Sequence, residues 1–363
     1  MLSTAGTTTI GTGGGALQID GTIDGTSSQA ENLTITTGAG SLTIGGTIGG
    51  TNALTTLSIA GSGAGAIDLA GIGDSNTAGA TGTTTVGNTT TTTLTLSGTI
   101  YKTDDSQTYV AKTGQNIDIT DAATFTTTND AVAFNTAGVD LINGNAGGAH
   151  TITVDTGTGA GAVTFGGAIE SDGGDDETLT ITSGTGTVTF TGALGATQEL
   201  GGLNVNASSG NGIITFTGAI GDTNAPQAGV IGTSNIGNTA TTRIDLDGGL
   251  YSFDGTTTFE TTSGETVAVG ATVTVENTAN SLSFSGGDIN LDDGANLTVS
   301  TNGGAITVNG IYGVSSETVS INANHSGGDG SSTAETVNIT GNIGNADEIP
   351  VSYTHLRAHE TAS

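Results

Sequence analysis

Cysteine and tryptophan are absent from this 363-residue sequence, proline occurs twice and methionine once. Without cysteine there is no disulfide, no thiol nucleophile and no thiolate-bound zinc. Without tryptophan, and with so few prolines to mark turns, tandem immunoglobulin-like sandwiches are disfavoured. Cations are nearly missing too: four Lys+Arg stand against 34 Asp+Glu, a formal net charge of −30. Phosphate backbones and anionic membrane surfaces need the opposite sign, so the expected partners of this segment include no nucleic acid and no membrane. No apolar run reaches the roughly 18 residues of a membrane span. The opening "MLSTAGTTTIGTGGG" lacks the basic and apolar regions of a signal peptide. An acidic, self-repelling surface suits a salty exterior.

What the chain does have is glycine, threonine and periodicity. Gly numbers 64, and the apolar share is 33%, thin for an ordinary globular core. Disorder is nonetheless the poorer reading, because −30 over 363 residues is only about 0.08 per residue and the apolar residues recur regularly. The stretch "TVTFTGALGA" (187–196) returns as "AVTFGGAIES" (162–171), "IITFTGAIGD" (213–222), "SLTIGGTIGG" (41–50) and "TVNITGNIGN" (336–345). Alternation of Val, Ile, Leu or Phe with Thr, Ser or Asn gives a strand with one apolar face. Gly, Asn and Asp close nearly every run, as a tight turn requires. No helical stripe interrupts the pattern, so the chain is all-β.

A longer repeat overlies the short one. Residues 86–141 align without a gap on 236–291, an offset of 150, with 15 of 56 positions identical, among them Gly87, Asn88, Gly98, Tyr101, Gly114 and Phe134. Residues 17–44 match 163–190 at an offset of 146, with 10 of 28 identical. Apolar positions coincide with apolar positions in both. The chain therefore reads as a right-handed parallel β-helix, a β-solenoid with roughly 20–25 residues per coil. Its super-repeat spans about 146–150 residues. Around fifteen such coils at about 4.8 Å would make a rod near 70 Å long. One continuous solenoid is expected over 1–349, with a partial copy over 1–85, a full one over 86–235 and a partial one over 236–349. A thin column of like residues stacked on like explains how one-third apolar composition suffices, and why each coil must repeat the same phrase.

In "VTFTGALGATQELGGLNVNA" (188–207), "LTIGGTIGGTNALTTLSIAG" (42–61) and "SFDGTTTFETTSGETVAVGATVTV" (252–275) the sequence resembles the β-helical shafts of filamentous-haemagglutinin-like adhesins and related giant bacterial surface proteins. The resemblance covers the body to about residue 349. It implies a structural shaft segment of a large secreted or cell-surface protein, without catalysis, whose host-cell, matrix or carbohydrate receptor is bound through other parts. Neither end reads as a cap, and the family's secretion domain or translocator barrel is not in the sequence, so a fragment is expected. The tail "PVSYTHLRAHETAS" (350–363) breaks the pattern and resembles a translated sequencing-adapter read-through. Its His355, His359 and Glu360 are then no metal site, and an unordered or arbitrarily placed end is expected.

Chemistry-bearing groupings are sparse. Polysaccharide-active enzymes also use parallel β-helices, so a β-helix enzyme is the third reading. Lys102, Lys112 and Arg243 are too few to cradle a polyanion, and no catalytic set is assigned. His150 and His325 sit beside glycine-rich turns with no Ser or Asp partner at readable spacing. Calcium is the better candidate ligand, since hard cations take carboxylates on glycine-flexed turns. Candidates are Asp172, Asp175, Asp176 and Glu177 in "SDGGDDE", and Asp245 and Asp247 in "IDLDGG". They support the second reading, a surface-layer or extracellular matrix protein with calcium-linked assembly. The nonapeptide array of calcium β-rolls is absent, "GGDGSS" (327–332) being only a fragment of it. The threonine array "TTTVGNTTTTTLTL" (83–96) invites an ice-binding reading, but threonine is also the polar residue that favours strands.

Overall fold

Alternating side chains, three or four to a strand, set the architecture. The computed structural model describes residues 2, 6–26, 29–59, 65–135, 137–141, 149–172, 177–206, 209–222, 228–278, 280–314, 317–323 and 336–344, and the backbone of 351–354. Every strand pairing is parallel, and no helix occurs among the described residues. The chain winds as a β-solenoid of about 12 turns with three walls. The first wall is a 13-stranded sheet running from Gly6–Gly11 to Ile311–Tyr312. The second holds seven strands from Leu17–Ile19 to Ile169–Ser171, passes through single bridges at Leu194 and Ile220, and resumes at Leu250–Phe253 for five more. The third begins as bridges linking Ile23, Ile48, Ile72 and Tyr101, then continues as ten strands from Ile100–Lys102 to Val337–Ile339.

Coil length varies more than expected. The step between stacked residues is 22 at Thr266↔Asp288, 25 at Val163↔Val188, 30 at Ile213↔Arg243 and 31 at Val132↔Val163. Longer steps leave about 12 turns where fifteen were expected, and a column of roughly 58 Å at about 4.8 Å per coil. Extra residues are taken up in the corners, which leaves the strand register intact.

The core is a set of ladders. On the first wall Ile35, Ile59, Val86, Tyr109, Phe134, Phe165, Phe190, Phe216, Leu246 and Val269 stack coil upon coil. All are buried, Val188, Phe190 and Phe216 completely. Phe134, Phe165, Phe190 and Phe216 lie face to face, with centroids 4.9, 5.5 and 4.8 Å apart and planes within 9°. Such offset stacks add to the area buried.

The phrase TGALG explains its own glycines. A Cβ on Gly192 would sit 2.3 Å from the carbonyl carbon of Gly167 in the previous coil, so the corner closes only without a side chain. Three residues on, Gly195 has φ +61°, which L side chains rarely adopt.

The super-repeat is structural, and it turns. Strand Thr84–Gly87 of the first wall corresponds at an offset of 150 to Ser234–Gly237 of the third. Leu94–Leu96 of the second corresponds to Arg243–Leu246 of the first, and Ile100–Lys102 of the third to Leu250–Phe253 of the second. One copy thus spans five full coils and two further walls. Local contacts survive the move. Tyr101 Oη accepts from Gly98 N–H (2.9 Å) and donates to the Leu69 carbonyl (2.7 Å); Tyr251 Oη accepts from Gly248 (2.7 Å) and donates to Phe216 (3.0 Å). Burial pushes both phenols up from their ordinary value.

Residues 351–354 of the aberrant tail pair as a further parallel strand with Val319–Asn322. His355, His359, Glu360, His325 and "GGDGSS" lie outside the described residues.

Candidate functional site

Most inward positions on this solenoid belong to the apolar ladders, so its chemistry falls mainly on outward columns and corners. A shallow open groove of about 430 Å³ follows the corner between the third and first walls over four coils. It is lined by Asp155, Thr158, Thr182, Thr185 and Asn211 with glycines between, and Asp155 is its only ionisable group. Paired carboxylates are not brought together there.

Carboxylates collect on the second wall instead. Asp68, Thr95, Asp118, Asp140 and Glu170 occupy one outward column on successive coils. Burial pushes Asp118 above its ordinary value, and the neighbouring Asp140 adds to the effect. Asp140 is likewise raised by burial, offset in part by a hydrogen bond from Asn116 Nδ2. Sequence reading missed this column because 22 to 30 residues separate its members, and only the register aligns them.

The structure separates the two sets of calcium candidates. Asp245 on the first-wall strand Arg243–Leu246 and Asp247 just past its end both face outward, and Arg243 Nε donates to Asp245 in the one ion pair among the described residues. Asp247 is pushed up by burial and by Asp245 and Asp292, while Arg243 opposes the shift. In the other set, Asp175 and Asp176 lie outside the described residues. Asp172 is exposed, whereas Glu177 is wholly buried. Ser171 Oγ donates to Glu177 Oε2, and Oε1 is buried with no hydrogen-bond partner. Burial first, and Asp172 after it, push the Glu177 carboxyl up, against the hydrogen bond from Ser171. Among the described residues, no group of three His, Cys, Asp or Glu could hold a metal ion.

His150 is half-buried, and its carbonyl accepts from Thr178 N–H one coil on (2.8 Å). Lys102 Nζ donates to the Ser75 carbonyl (3.1 Å). The threonine array 83–96 does not form one flat rank. Its halves lie in the first and second walls with a corner between, and Thr84 and Thr91 are buried. Two further buried hydroxyls without partners, Thr84 Oγ1 and Ser234 Oγ, are the same super-repeat position in its two copies.

No protein-family model, no curated protein and no solved structure matches the chain.

Proposed function

We propose that the chain is a shaft segment of a large secreted or cell-surface bacterial adhesin-like protein, a spacer that carries binding regions contributed by other parts. The observation that supports this most is the unbroken inward ladder, which runs through all three walls and devotes nearly every apolar side chain to coil-on-coil contact. Nearest-neighbour stacking of this kind extends by adding coils without altering those in place. Length is the property such a design supplies. The acidic second wall keeps neighbouring shafts apart by like-charge repulsion at low salt.

The test is electron microscopy of the full-length parent protein on its cells, with an antibody raised against this chain. Label along a thin stalk between the envelope and a distal head is expected. Label confined to a compact body, together with cleavage of acidic polysaccharide by that body, would favour the enzyme reading and end this one.

A further inference from the structure

We propose that Asn302 is a site of spontaneous deamidation, at which the backbone nitrogen of Gly303 displaces ammonia from the Asn302 side chain through a cyclic imide. Three Asn–Gly pairs lie among the described residues, Asn211–Gly212, Asn302–Gly303 and Asn309–Gly310; a fourth, Asn143–Gly144, lies outside them. Asparagine before glycine closes this ring most readily, because the residue supplying the nitrogen has no side chain to hinder the approach. In sequence the three pairs are equivalent. In the fold they are not.

Ring closure swings the asparagine side chain over the next N–H and reorients the glycine, so it needs room at the glycine. Gly303 has that room. Asn302 and Gly303 are both exposed, and a Cβ built on Gly303 would meet no atom within 4 Å. Its φ of +89° is one that glycine holds without strain. Its N–H rests on the Ala323 carbonyl at 3.2 Å, the long end of the range, so a single weak bond must open to release the nitrogen.

Gly212 and Gly310 are buried. A Cβ on Gly212 would run into the Gly186 carbonyl oxygen, and the Asn211 and Gly212 N–H groups both donate to the Gly184 carbonyl (2.6 and 3.2 Å). A Cβ on Gly310 would stand 2.5 Å from Asp288 Oδ1. The Asn309 amide is held from both sides: Nδ2 donates to Asp288 Oδ1 (3.0 Å) and to the Gly286 carbonyl (3.3 Å), while Oδ1 accepts from Thr340 Oγ1 (3.0 Å). Either pair must leave its coil before it can react.

At Asn302 the Gly303 amide gives its proton to hydroxide, its nitrogen bonds to Cγ, and the side-chain nitrogen takes a proton from water and leaves as ammonia. Water then opens the ring at one of its two carbonyls, breaking that C–N bond and leaving a carboxylate in either an aspartyl or an isoaspartyl linkage. The corner accommodates both. Asn302 N–H donates to the Asn277 carbonyl as Thr278 N–H does to that of Phe253, so Asp254, Thr278 and Asn302 stack on successive coils. The aspartyl product repeats the Asp254–Gly255 pair two coils away. The isoaspartyl product lengthens the main chain by one carbon, and the corners of this solenoid already absorb steps from 22 to 31 residues with the strands in register.

The test is peptide mapping of the whole chain by mass spectrometry after incubation in mildly alkaline buffer, with aspartyl and isoaspartyl peptides separated. Asn302 is expected to convert at least about tenfold faster than Asn211 or Asn309, giving both products at a rate that rises with pH. In urea the three rates should converge, because the unfolded chain restrains none of them. Asn302→Gln keeps an amide and should remove the conversion at that position. Conversion of Asn211 or Asn309 as fast as Asn302 in the folded chain, a ranking unchanged by urea, or a purely aspartyl product at Asn302 overturns the assignment.

Discussion

Truncating Phe190 to alanine probes the claim that this molecule is a one-dimensional stack. Phe190 is fully buried, with Phe165 and Phe216 parallel to it at 5.5 and 4.8 Å. Removing a buried phenylalanine side chain costs about 3–5 kcal/mol. Each lost ring contact contributes about 0.5–1.5 kcal/mol beyond area, so the upper half of that range, about 4–5 kcal/mol, is expected here. The more diagnostic effect is on cooperativity. In a solenoid each coil is held by its two neighbours, so a void at mid-height weakens one interface and spares the rest. Urea unfolding followed by circular dichroism should split from one transition into two. Hydrogen exchange should accelerate in Val163–Phe165 and Ile213–Phe216 while Tyr109 and Phe284 keep their protection. Phe190→Leu, which fills most of the space, should show a smaller version of both effects. A loss below about 1 kcal/mol, or exchange that quickens evenly along the chain, would refute the stacked-ladder reasoning.

Tyr101→Phe and Tyr251→Phe each remove a hydroxyl that satisfies one buried N–H and one carbonyl, so each should cost about 1–3 kcal/mol by thermal melting. Similar losses are expected because the two are one position in two copies; a loss at one site only would deny that equivalence. Burial raises the carboxyls of Asp118 and Asp140 above the ordinary aspartate value of about 3.9, so their ionisation opposes folding. The stability they cost at neutral pH is regained as pH falls through the raised folded values towards the ordinary aspartate value, the reverse of a salt-bridged carboxylate. Asp140→Asn should therefore melt higher than wild type near neutrality, with the gap closing in acid; an unchanged gap across the titration would contradict the raised values.

Much of this fold was legible because the period-two alternation is so regular. Val188 and Phe190 point inward as "TVTF" implies, and Gly192 falls where the closing glycine was expected. The offsets of 146 and 150 were also readable, since Gly98, Tyr101 and Glu31 recur at their counterparts. Register was not. Whether residue 132 stacks on 157 or on 163 depends on how many residues the corners absorb, and nothing local in "INGNAGGAH" sets that number. The walls of the two copies could not be assigned for the same reason, and neither could the Asp118–Asp140 column. At the acidic corner, glycine and aspartate in "SDGGDDE" offered Asp172 and Glu177 as calcium candidates. The burial of Glu177 went unread, although its identity with Glu31 at the 146 offset was the signal that could have shown it.

Five coils and two walls per copy is not a whole number of windings, and that fraction has a consequence for any protein assembled from such units. Equivalent patches on consecutive units face directions about a third of a revolution apart, roughly 27 Å further along. A fourth unit is the first to look the same way as the initial one. Features repeated once per unit consequently trace a slow spiral, so the assembled fibre has no front or back and can meet an opposing surface from any side. Gain or loss of one unit by recombination would preserve the packing of the interior while swinging everything distal to a new bearing.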